Sequence, residues 1–395
     1  MVKTRELNDF VDISDVKMPP GLPKFNFYRK LNYYEVAVSL FETCNLNCKF
    51  CFQSHNKPID YDKILGYPDK IIDTLSDDLK RYSPKILLMK VWGGELFFDR
   101  LPDETFDVYR TFYRKFKERF NKEFPDIEFK INWLSNGIWA NRDRVLQLLK
   151  DTEASISFSY DSVYRYSNEK QKEIWKETFW YFYDRKLIDF IAITLTRPNM
   201  EAIRNGDEVI DMLPPDVQID TNYYAANKDW EKYIPSDDDM FLFYKWCIDN
   251  KKFNMTIIES LVRHMIPEEE KYVPKWCDCK GTRQCYDGIP TSDCVKIASS
   301  LDRKEFYGKY DKYADESNFT EIKNSLGLIK LGCQYCEHYK TCPQICWVTV
   351  IFSGYKPTSC PIKRLYEYIS KRNIEDYLEW RNTYGNDRFS VTKYE

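Results

Sequence analysis

Three cysteines near the start of the chain, Cys44, Cys48 and Cys51, have the spacing C-x3-C-x2-C. This spacing allows three thiolates from one short loop to bind a single inorganic cluster. In a cluster of four irons, three thiolate ligands leave one iron without a protein ligand, and that iron can bind a small molecule. The motif therefore predicts a cluster that acts in catalysis rather than only in electron transfer.

Six runs of apolar, β-branched and aromatic residues are predicted to be strands: Tyr34–Phe41, Ile86–Trp92, Ile127–Leu134, Ala154–Tyr160, Phe190–Thr196 and Val217–Tyr224. Segments of helical character lie between them, including Tyr109–Phe120, Arg142–Leu149 and Lys170–Tyr183. Strands that alternate with helices favour a parallel sheet with right-handed crossovers. Six such units fall short of the eight that close a full barrel, so the sequence predicts a partial, open (β/α)6 barrel in the α/β class.

Polar and glycine-containing motifs follow the predicted strands. The cysteine loop follows the first strand, Gly93-Gly94-Glu95 the second, Ser135-Asn136-Gly137 the third and Asp161 the fourth. Barrel enzymes build their active sites at this end of the strands. Paired glycines also let a backbone approach a ligand closely. The motifs are therefore expected to form one site.

Nine of the thirteen cysteines lie between Cys277 and Cys360, in a stretch with little regular periodicity. The chain has no secretion signal, and the cytosol keeps thiols reduced, so metal or cluster ligation is a better interpretation than disulfides. Structural zinc is the alternative for this region. Cys247 stands alone on a predicted helix, Asp237–Asn250, and is interpreted as a small buried hydrophobe. The residues after Pro361 again have helical spacing.

Charge and hydropathy exclude two classes of function. A formal net charge of −3 argues against a dedicated nucleic-acid-binding protein. The N-terminus lacks the apolar core of a signal peptide, and no run approaches the roughly 18 apolar residues of a membrane span. We therefore expect a cytoplasmic protein without a membrane segment. Only three histidines are present, which leaves little for histidine-driven acid–base chemistry.

The N-terminal half resembles the radical SAM superfamily. Cys44, Cys48 and Cys51 match the cluster ligands of that family, and the resemblance implies that S-adenosylmethionine (SAM) binds the open iron. It also implies several SAM contacts: Phe50 beside the adenine, Gly93, Gly94 and Glu95 at the methionyl amine, and Asn136, Ser159, Asp161 and Arg165 around the ribose and carboxylate. Turn and cap chemistry is the alternative role for Asn136, Ser159 and Asp161.

The cysteine-rich region resembles the SPASM domain of radical SAM enzymes that modify peptides. The resemblance implies two auxiliary [4Fe–4S] clusters, one bound by Cys279, Cys285, Cys294 and Cys346 and the other by Cys333, Cys336, Cys342 and Cys360. Cys277 is an alternative ligand beside Cys279. Clusters bound entirely by protein are suited to electron transfer.

The predicted organisation has five parts. They are an N-terminal extension (1–33), the partial barrel (34–235), a bridging region (236–275), the SPASM domain (276–362) and a helical tail (363–395). The extension is shorter than the leader-recognition domain of about 80 residues that many peptide maturases carry. A maturase of this kind would then need a separate leader-binding protein or would use the barrel itself.

The resemblance implies an oxidoreductase or maturase that cleaves SAM reductively and abstracts hydrogen from a peptide or protein. A flavodoxin or ferredoxin would be its electron donor. Two alternatives stay open: a dehydrogenase or epimerase of a small molecule such as a sugar or nucleoside, and a non-catalytic zinc- or cluster-binding protein. The sulfatase-maturing branch of the family has an Asp after the third leading cysteine, where this chain has Val295.

Overall fold

The structure is a computed structural model of the 395-residue chain. It describes residues 33–51, 55–223, 233–263, 282–286, 289–291, 336–338, 359–372 and 374–384. Six of the cysteines named above lie outside these ranges: Cys277, Cys279, Cys294, Cys333, Cys342 and Cys346. Their predicted roles stay predictions.

The core of the fold is a sheet with the strand order β6-β5-β4-β3-β2-β1-β7-β8. The strands are β1 (Tyr33–Ser39), β2 (Ile86–Trp92), β3 (Glu128–Ser135), β4 (Ser155–Tyr160), β5 (Ile188–Leu195), β6 (Gln218–Tyr223), β7 (Thr282–Tyr286) and β8 (Ile289–Thr291). Strands β1 to β6 form a curled parallel half-barrel, which confirms the predicted partial (β/α)6 barrel. Each of the six predicted strands agrees with the structure to within two residues at either end.

The helices of the described residues are α1 (Tyr61–Leu65), α2 (Tyr67–Tyr82), α3 (Asp103–Glu123), α4 (Arg142–Asp151), α5 (Glu169–Tyr183), α6 (Arg197–Arg204), α7 (Glu208–Met212), α8 (Asp237–Asp249), α9 (Thr256–Arg263), α10 (Pro361–Ile369) and α11 (Glu375–Tyr384). Helix α3 begins earlier than its apolar periodicity predicts. Its first turn contains Asp103 and Glu104, and acidic side chains stabilise the N-terminus of a helix. Among these helices, none is long and apolar enough to cross a membrane.

The described residues belong to two compact units whose border falls within β5. The first unit comprises 33–192, 282–286 and 289–291. Its outer layer is aromatic: the ring of Tyr109 on α3 lies 5.2 Å from that of Trp133 on β3, and Phe116 lies 4.8 Å from Phe129. This burial of large apolar side chains stabilises the sheet and fixes the positions of its strand ends.

The first unit also contains a short hairpin of β7 and β8. Strand β7 pairs in parallel with β1, with Cys285 opposite Val38, and β8 runs antiparallel to β7. The sheet therefore extends past the six predicted strands. The backbone of Cys285, a predicted auxiliary-cluster ligand, lies in the strand next to the one that leads into the cysteine loop.

The second unit comprises 193–263, 336–338, 359–372 and 374–384. Ser236 caps α8 in a reciprocal capping box with Asp239, which fixes where this helix begins. Helix α11 packs through Trp380, whose ring lies 6.1 Å from that of Phe253. The indole N–H of Trp380 donates to the carbonyl of Pro215 over 3.2 Å.

Candidate functional site: a cysteine pocket at the strand ends

The cysteine loop follows β1 and is held by its own backbone. The N–H of Cys44 donates to the carbonyl of His55 over 3.2 Å, and the N–H of Cys51 donates to the carbonyl of Cys48 over 3.0 Å. The three predicted cluster ligands all pack in one apolar cluster with Leu46 and Ile138. Cys48 is the most enclosed of the three, at 7% exposure. We name this site the cysteine pocket: Cys44, Cys48 and Cys51 with Leu46 and Ile138.

The turn after β2 packs directly against the cysteine loop. The N–H of Gly94 donates to the carbonyl of Phe41 over 2.8 Å, and the N–H of Glu95 donates to the carbonyl of Thr43 over 2.9 Å. A Cβ atom on Gly94 would lie 2.0 Å from the Thr43 carbonyl oxygen. The glycine is therefore required for contact with the loop backbone. This contact differs from the approach to a ligand that the sequence suggested.

Glu95 connects the turn after β2 to the turn after β3. One carboxylate oxygen accepts from the hydroxyl of Ser135 (2.7 Å) and from the N–H of Phe97 (2.9 Å). The other accepts from the N–H of Asn136 (2.6 Å). Glu95 is 1% exposed, and this burial raises its pKa to about 7, whereas the three donors act in the opposite direction. The carboxylate thus holds two strand ends together.

The Ser135-Asn136-Gly137 turn lies against the first cysteine. The Asn136 amide donates to the side-chain oxygen of Asn45 over 2.8 Å and lies 4.0 Å from the sulfur of Cys44. Asn45 in turn donates to the carbonyl of Ile138 over 2.9 Å. Gly137 has φ +74, and a Cβ on it would lie 2.9 Å from the Trp175 ring, so only glycine fits without strain.

Ser159 in β4 and Asp161 directly after it make contacts with neighbouring turns. Ser159 donates to the carbonyl of Ser135 over 3.2 Å. One oxygen of the buried Asp161 accepts from the N–H groups of Val163 (3.0 Å) and Tyr164 (2.6 Å). These are the turn and strand-end contacts that the sequence left open as alternatives. The second oxygen of Asp161 is buried without a hydrogen-bond partner among the described residues.

Arg165 is brought to the cysteine pocket. Its guanidinium carbon lies 5.5 Å from the ring centroid of Phe50, and its charge interacts with the thiols of Cys44, Cys48 and Cys51. Its Nε atom is buried and has no hydrogen-bond partner among the described residues. A cation in this position compensates negative charge on the sulfurs.

Burial sets the protonation state of the thiols. It raises the pKa of Cys44 to about 12, to which the nearby Glu95 carboxylate contributes, and it also raises the pKa of Cys48. Burial likewise raises the pKa of Asp161. The free thiols of Cys44 and Cys48 are therefore protonated at neutral pH, and metal binding must displace their protons.

The donor set of the cysteine pocket, three thiols packed in one apolar cluster, is of the kind that binds an iron–sulfur cluster. Within the described ranges, no three His, Cys, Asp or Glu side chains are close enough to hold one ion. In a cluster each cysteine binds a different iron, so the thiols need only border one cavity. Asp161 and Arg165 interact electrostatically, and each has a buried polar atom without a hydrogen-bond partner among the described residues, which a polar ligand beside the cluster could satisfy.

Two cysteines of the C-terminal region are described with their side chains. Cys336 and Cys360 are half-buried and close enough to interact electrostatically, although 24 positions separate them in sequence. Cys360 directly precedes Pro361, the first residue of α10, and its side chain makes no capping hydrogen bond to that helix. Their assignment to a shared auxiliary cluster stays a prediction. Cys247 is fully buried on α8, as predicted, and its sulfur lies 3.3 Å from that of Met255.

The sequence analysis did not identify every residue that builds the pocket. Asn45, which binds the turn after β3, follows Cys44 directly, and that position could have drawn attention to it. Ser135 belonged to a recognised turn but was not assigned a contact with Glu95. Tyr166 and Trp175 had no sequence signal, because aromatic residues are common throughout the chain.

No protein-family model matches the chain, and no curated protein matches it in sequence. Solved structures do match. The chain has the fold of the radical SAM enzymes, which confirms the resemblance drawn from the cysteine motif at the level of fold.

The similar structures include native anSMEcpe with bound AdoMet, with a TM-score of 0.58, 13% identity, and coverage of 89% of this chain and 99% of that one. The same protein with bound AdoMet and a Cp18Cys peptide matches with a TM-score of 0.53, 13% identity, and coverage of 90% and 99%. Streptococcus suis SuiB matches with a TM-score of 0.45, 13% identity, and coverage of 84% and 77%.

Proposed function

We propose that this protein is a radical SAM enzyme that modifies a peptide or protein. The observation that carries the proposal is the packing of Cys44, Cys48 and Cys51 in one apolar cluster, at the strand ends where the Gly-Gly-Glu and Ser-Asn-Gly turns meet. The fold supports it, because anSMEcpe has the same fold and binds AdoMet. An isolated zinc site would not need these turns.

The residues of the cysteine pocket and Arg165 have different proposed roles. Cys44, Cys48 and Cys51 would hold a [4Fe–4S] cluster, which when bound supplies the electron that cleaves SAM to the 5′-deoxyadenosyl radical for hydrogen abstraction from the substrate. Leu46 and Ile138 exclude water from the pocket. Arg165 compensates the charge of the three thiolates and offers an N–H donor to a carboxylate.

The remaining SAM contacts are proposed around the same pocket: Phe50, Gly93, Gly94, Glu95, Asn136, Ser159 and Asp161. Glu95 already accepts three hydrogen bonds, yet two carboxylate oxygens offer about four acceptor sites, which leaves capacity for an ammonium group. Its network also makes it a structural link, so its two roles must be tested separately.

The C-terminal cysteines are proposed to bind two auxiliary [4Fe–4S] clusters in a SPASM domain that spans 276–362. The approach of Cys336 to Cys360 agrees with their assignment to one cluster. Such clusters would accept the electron released when the substrate radical collapses. A flavodoxin or ferredoxin would supply electrons to the first cluster.

We propose a peptide or protein substrate because the fold is shared with anSMEcpe, whose structure contains a Cp18Cys peptide. Small peptides encoded beside this protein are the first substrates to test.

The test begins with iron, acid-labile sulfide and zinc in protein that has been reconstituted without oxygen. Three clusters predict about twelve irons per chain. The reduced protein should then convert SAM to 5′-deoxyadenosine, and a neighbouring peptide should change in mass. SAM cleavage without a mass change on any such peptide would favour a small-molecule substrate instead. Zinc without iron would rule out the catalytic proposal.

A further inference from the structure

Tyr166 follows Arg165 and faces the cysteine pocket. Its ring packs against the cluster that Leu46, Cys48 and Ile138 form, and the Cys48 thiol interacts electrostatically with its phenol. Its hydroxyl oxygen is buried and has no hydrogen-bond partner among the described residues. A buried hydroxyl without a partner destabilises the folded protein, so its presence here needs an explanation.

The thiols of Cys44 and Cys48 differ in their surroundings. The sulfur of Cys44 accepts from the N–H of Leu46 at 3.4 Å and lies 4.0 Å from the amide of Asn136. Cys48 is more enclosed than Cys44 and Cys51, so water is less able to solvate its sulfur. A thiolate at this position needs a donor from the protein.

Other donors lie near the pocket. The Arg165 guanidinium lies over the ring of Phe50 and supplies positive charge to Cys48, and its unpartnered Nε makes it the competing donor. The Trp175 indole is fully buried beside Gly137, where its Nε1 would lie 3.1 Å from a Cβ on that glycine. The Tyr166 hydroxyl combines a donor with a ring that contacts the group around Cys48.

We propose that the Tyr166 hydroxyl donates a hydrogen bond to the Cys48 sulfur when that sulfur binds iron, and that this bond raises the reduction potential of the cluster. The inference rests on the proposed function, since it requires a cluster in the cysteine pocket. A donor to a cluster sulfur stabilises the reduced form, which has one more negative charge. Tyr166 is thus a positioning and tuning residue that has no sequence signature.

The test is a redox titration of the reconstituted protein, monitored by electron paramagnetic resonance and carried out without SAM. Tyr166→Phe removes the hydroxyl and keeps the ring, so the midpoint potential of the cluster should become more negative. A tenfold change in the one-electron equilibrium corresponds to about 59 mV. The matched control is Tyr160→Phe, because Tyr160 is 1% exposed and its ring lies 5.5 Å from that of Tyr166. The control should leave the potential unchanged.

A second variant should shift the midpoint potential in the opposite direction. Site-specific fluorotyrosine at position 166 makes the hydroxyl a stronger donor and should raise the potential, which a packing defect would not do. An unchanged potential in an iron-loaded Tyr166→Phe protein would overturn the inference. The partner of the hydroxyl would then be Asp161 or SAM. If Tyr166→Phe cannot be loaded with iron, the fluorotyrosine protein provides the test. A potential that does not rise in that protein would overturn the inference. If the unaltered protein loads no iron, the proposed function itself has failed.

Discussion

Cys48 and Cys247 are both buried thiols, but their surroundings differ. Cys247 lies on α8 in the second unit, fully buried, with the sulfur of Met255 3.3 Å away. Cys48 lies on a loop in the first unit, near Arg165, Asp161 and Tyr166, each of which has one buried polar atom without a hydrogen-bond partner within the described ranges. Among the described residues of the second unit, no buried side-chain oxygen or nitrogen lacks a hydrogen-bond partner.

The comparison shows which property distinguishes a ligand from a packing residue. Burial raises the pKa of both thiols, so a raised pKa does not identify the functional one. The distinguishing features are the close backbone contacts that hold the loop and the polar groups around it that the fold leaves unsatisfied. A purely structural cysteine has no use for either feature.

The largest difference between the two sites is expected on removal of the sulfur. Cys48→Ala should abolish 5′-deoxyadenosine formation and remove the iron of the first cluster, because the two remaining thiolates are too few to hold it. Cys247→Ala should keep both and lower the free energy of unfolding by about 1 kcal/mol through a small cavity. Iron analysis and a SAM-cleavage assay on both variants check this. Equal loss of iron in the two variants would mean that the cysteine pocket is not the cluster site.

The next effect tests whether the turn after β2 positions the loop. Gly94→Ala places a Cβ 2.0 Å from the Thr43 carbonyl oxygen and should break the two backbone hydrogen bonds around it. The expected loss is about 3–4 kcal/mol of unfolding free energy, with poor iron loading. Gly66→Ala is the control, since its Cβ would meet no atom closer than 3.5 Å and φ is −90. Urea unfolding should show a change within about 0.5 kcal/mol for the control. A stable, fully loaded Gly94→Ala protein would contradict the packing argument.

A smaller effect separates backbone strain from crowding. Gly137 (φ +74) and Gly206 (φ +94) share a left-handed conformation, but only Gly137 is crowded, by Trp175 and Phe158. Gly206→Ala should cost about 1 kcal/mol from the backbone alone. Gly137→Ala should cost about 2–3 kcal/mol and disturb the Asn136 contact with the cysteine loop. Thermal unfolding and iron content measured on both variants provide the check. A similar loss of stability in the two variants would mean that crowding around Gly137 adds nothing to the backbone strain.

Much of this fold follows from local pattern, whereas the contacts between turns do not. The strands were visible because apolar runs such as Ile86–Trp92 end at glycine or polar turns. The sequence also located the residues after each strand. It could not show that Gly94 packs on Thr43 or that Glu95 binds the turn after β3, because those contacts join segments some forty or more residues apart. Tyr166 was invisible for the same reason, since only the folded chain brings its ring to Cys48.

The smallest effect concerns Glu95 and separates its structural role from a role in SAM binding. Burial raises its pKa in the folded state from 4.5 to about 7, so the folded protein binds this proton more tightly than the unfolded chain does. The contribution to stability is therefore present at low pH and is lost as the pH rises from about 4.5 to about 7. The slope is at most about 1.4 kcal/mol per pH unit.

The Glu95→Gln side chain cannot titrate. Its amide N–H groups would face the N–H and O–H donors that now donate to the carboxylate, so the variant should be less stable than the original protein at every pH. The stability difference between the original protein and the variant should narrow as the pH rises through this range, measured by urea unfolding of the metal-free protein. A difference that does not change with pH would show that Glu95 is ionised throughout and that its three donors outweigh its burial. In that case the carboxylate carries a full negative charge beside Cys44, a charge that the cation of Arg165 must offset before the pocket can accept a cluster.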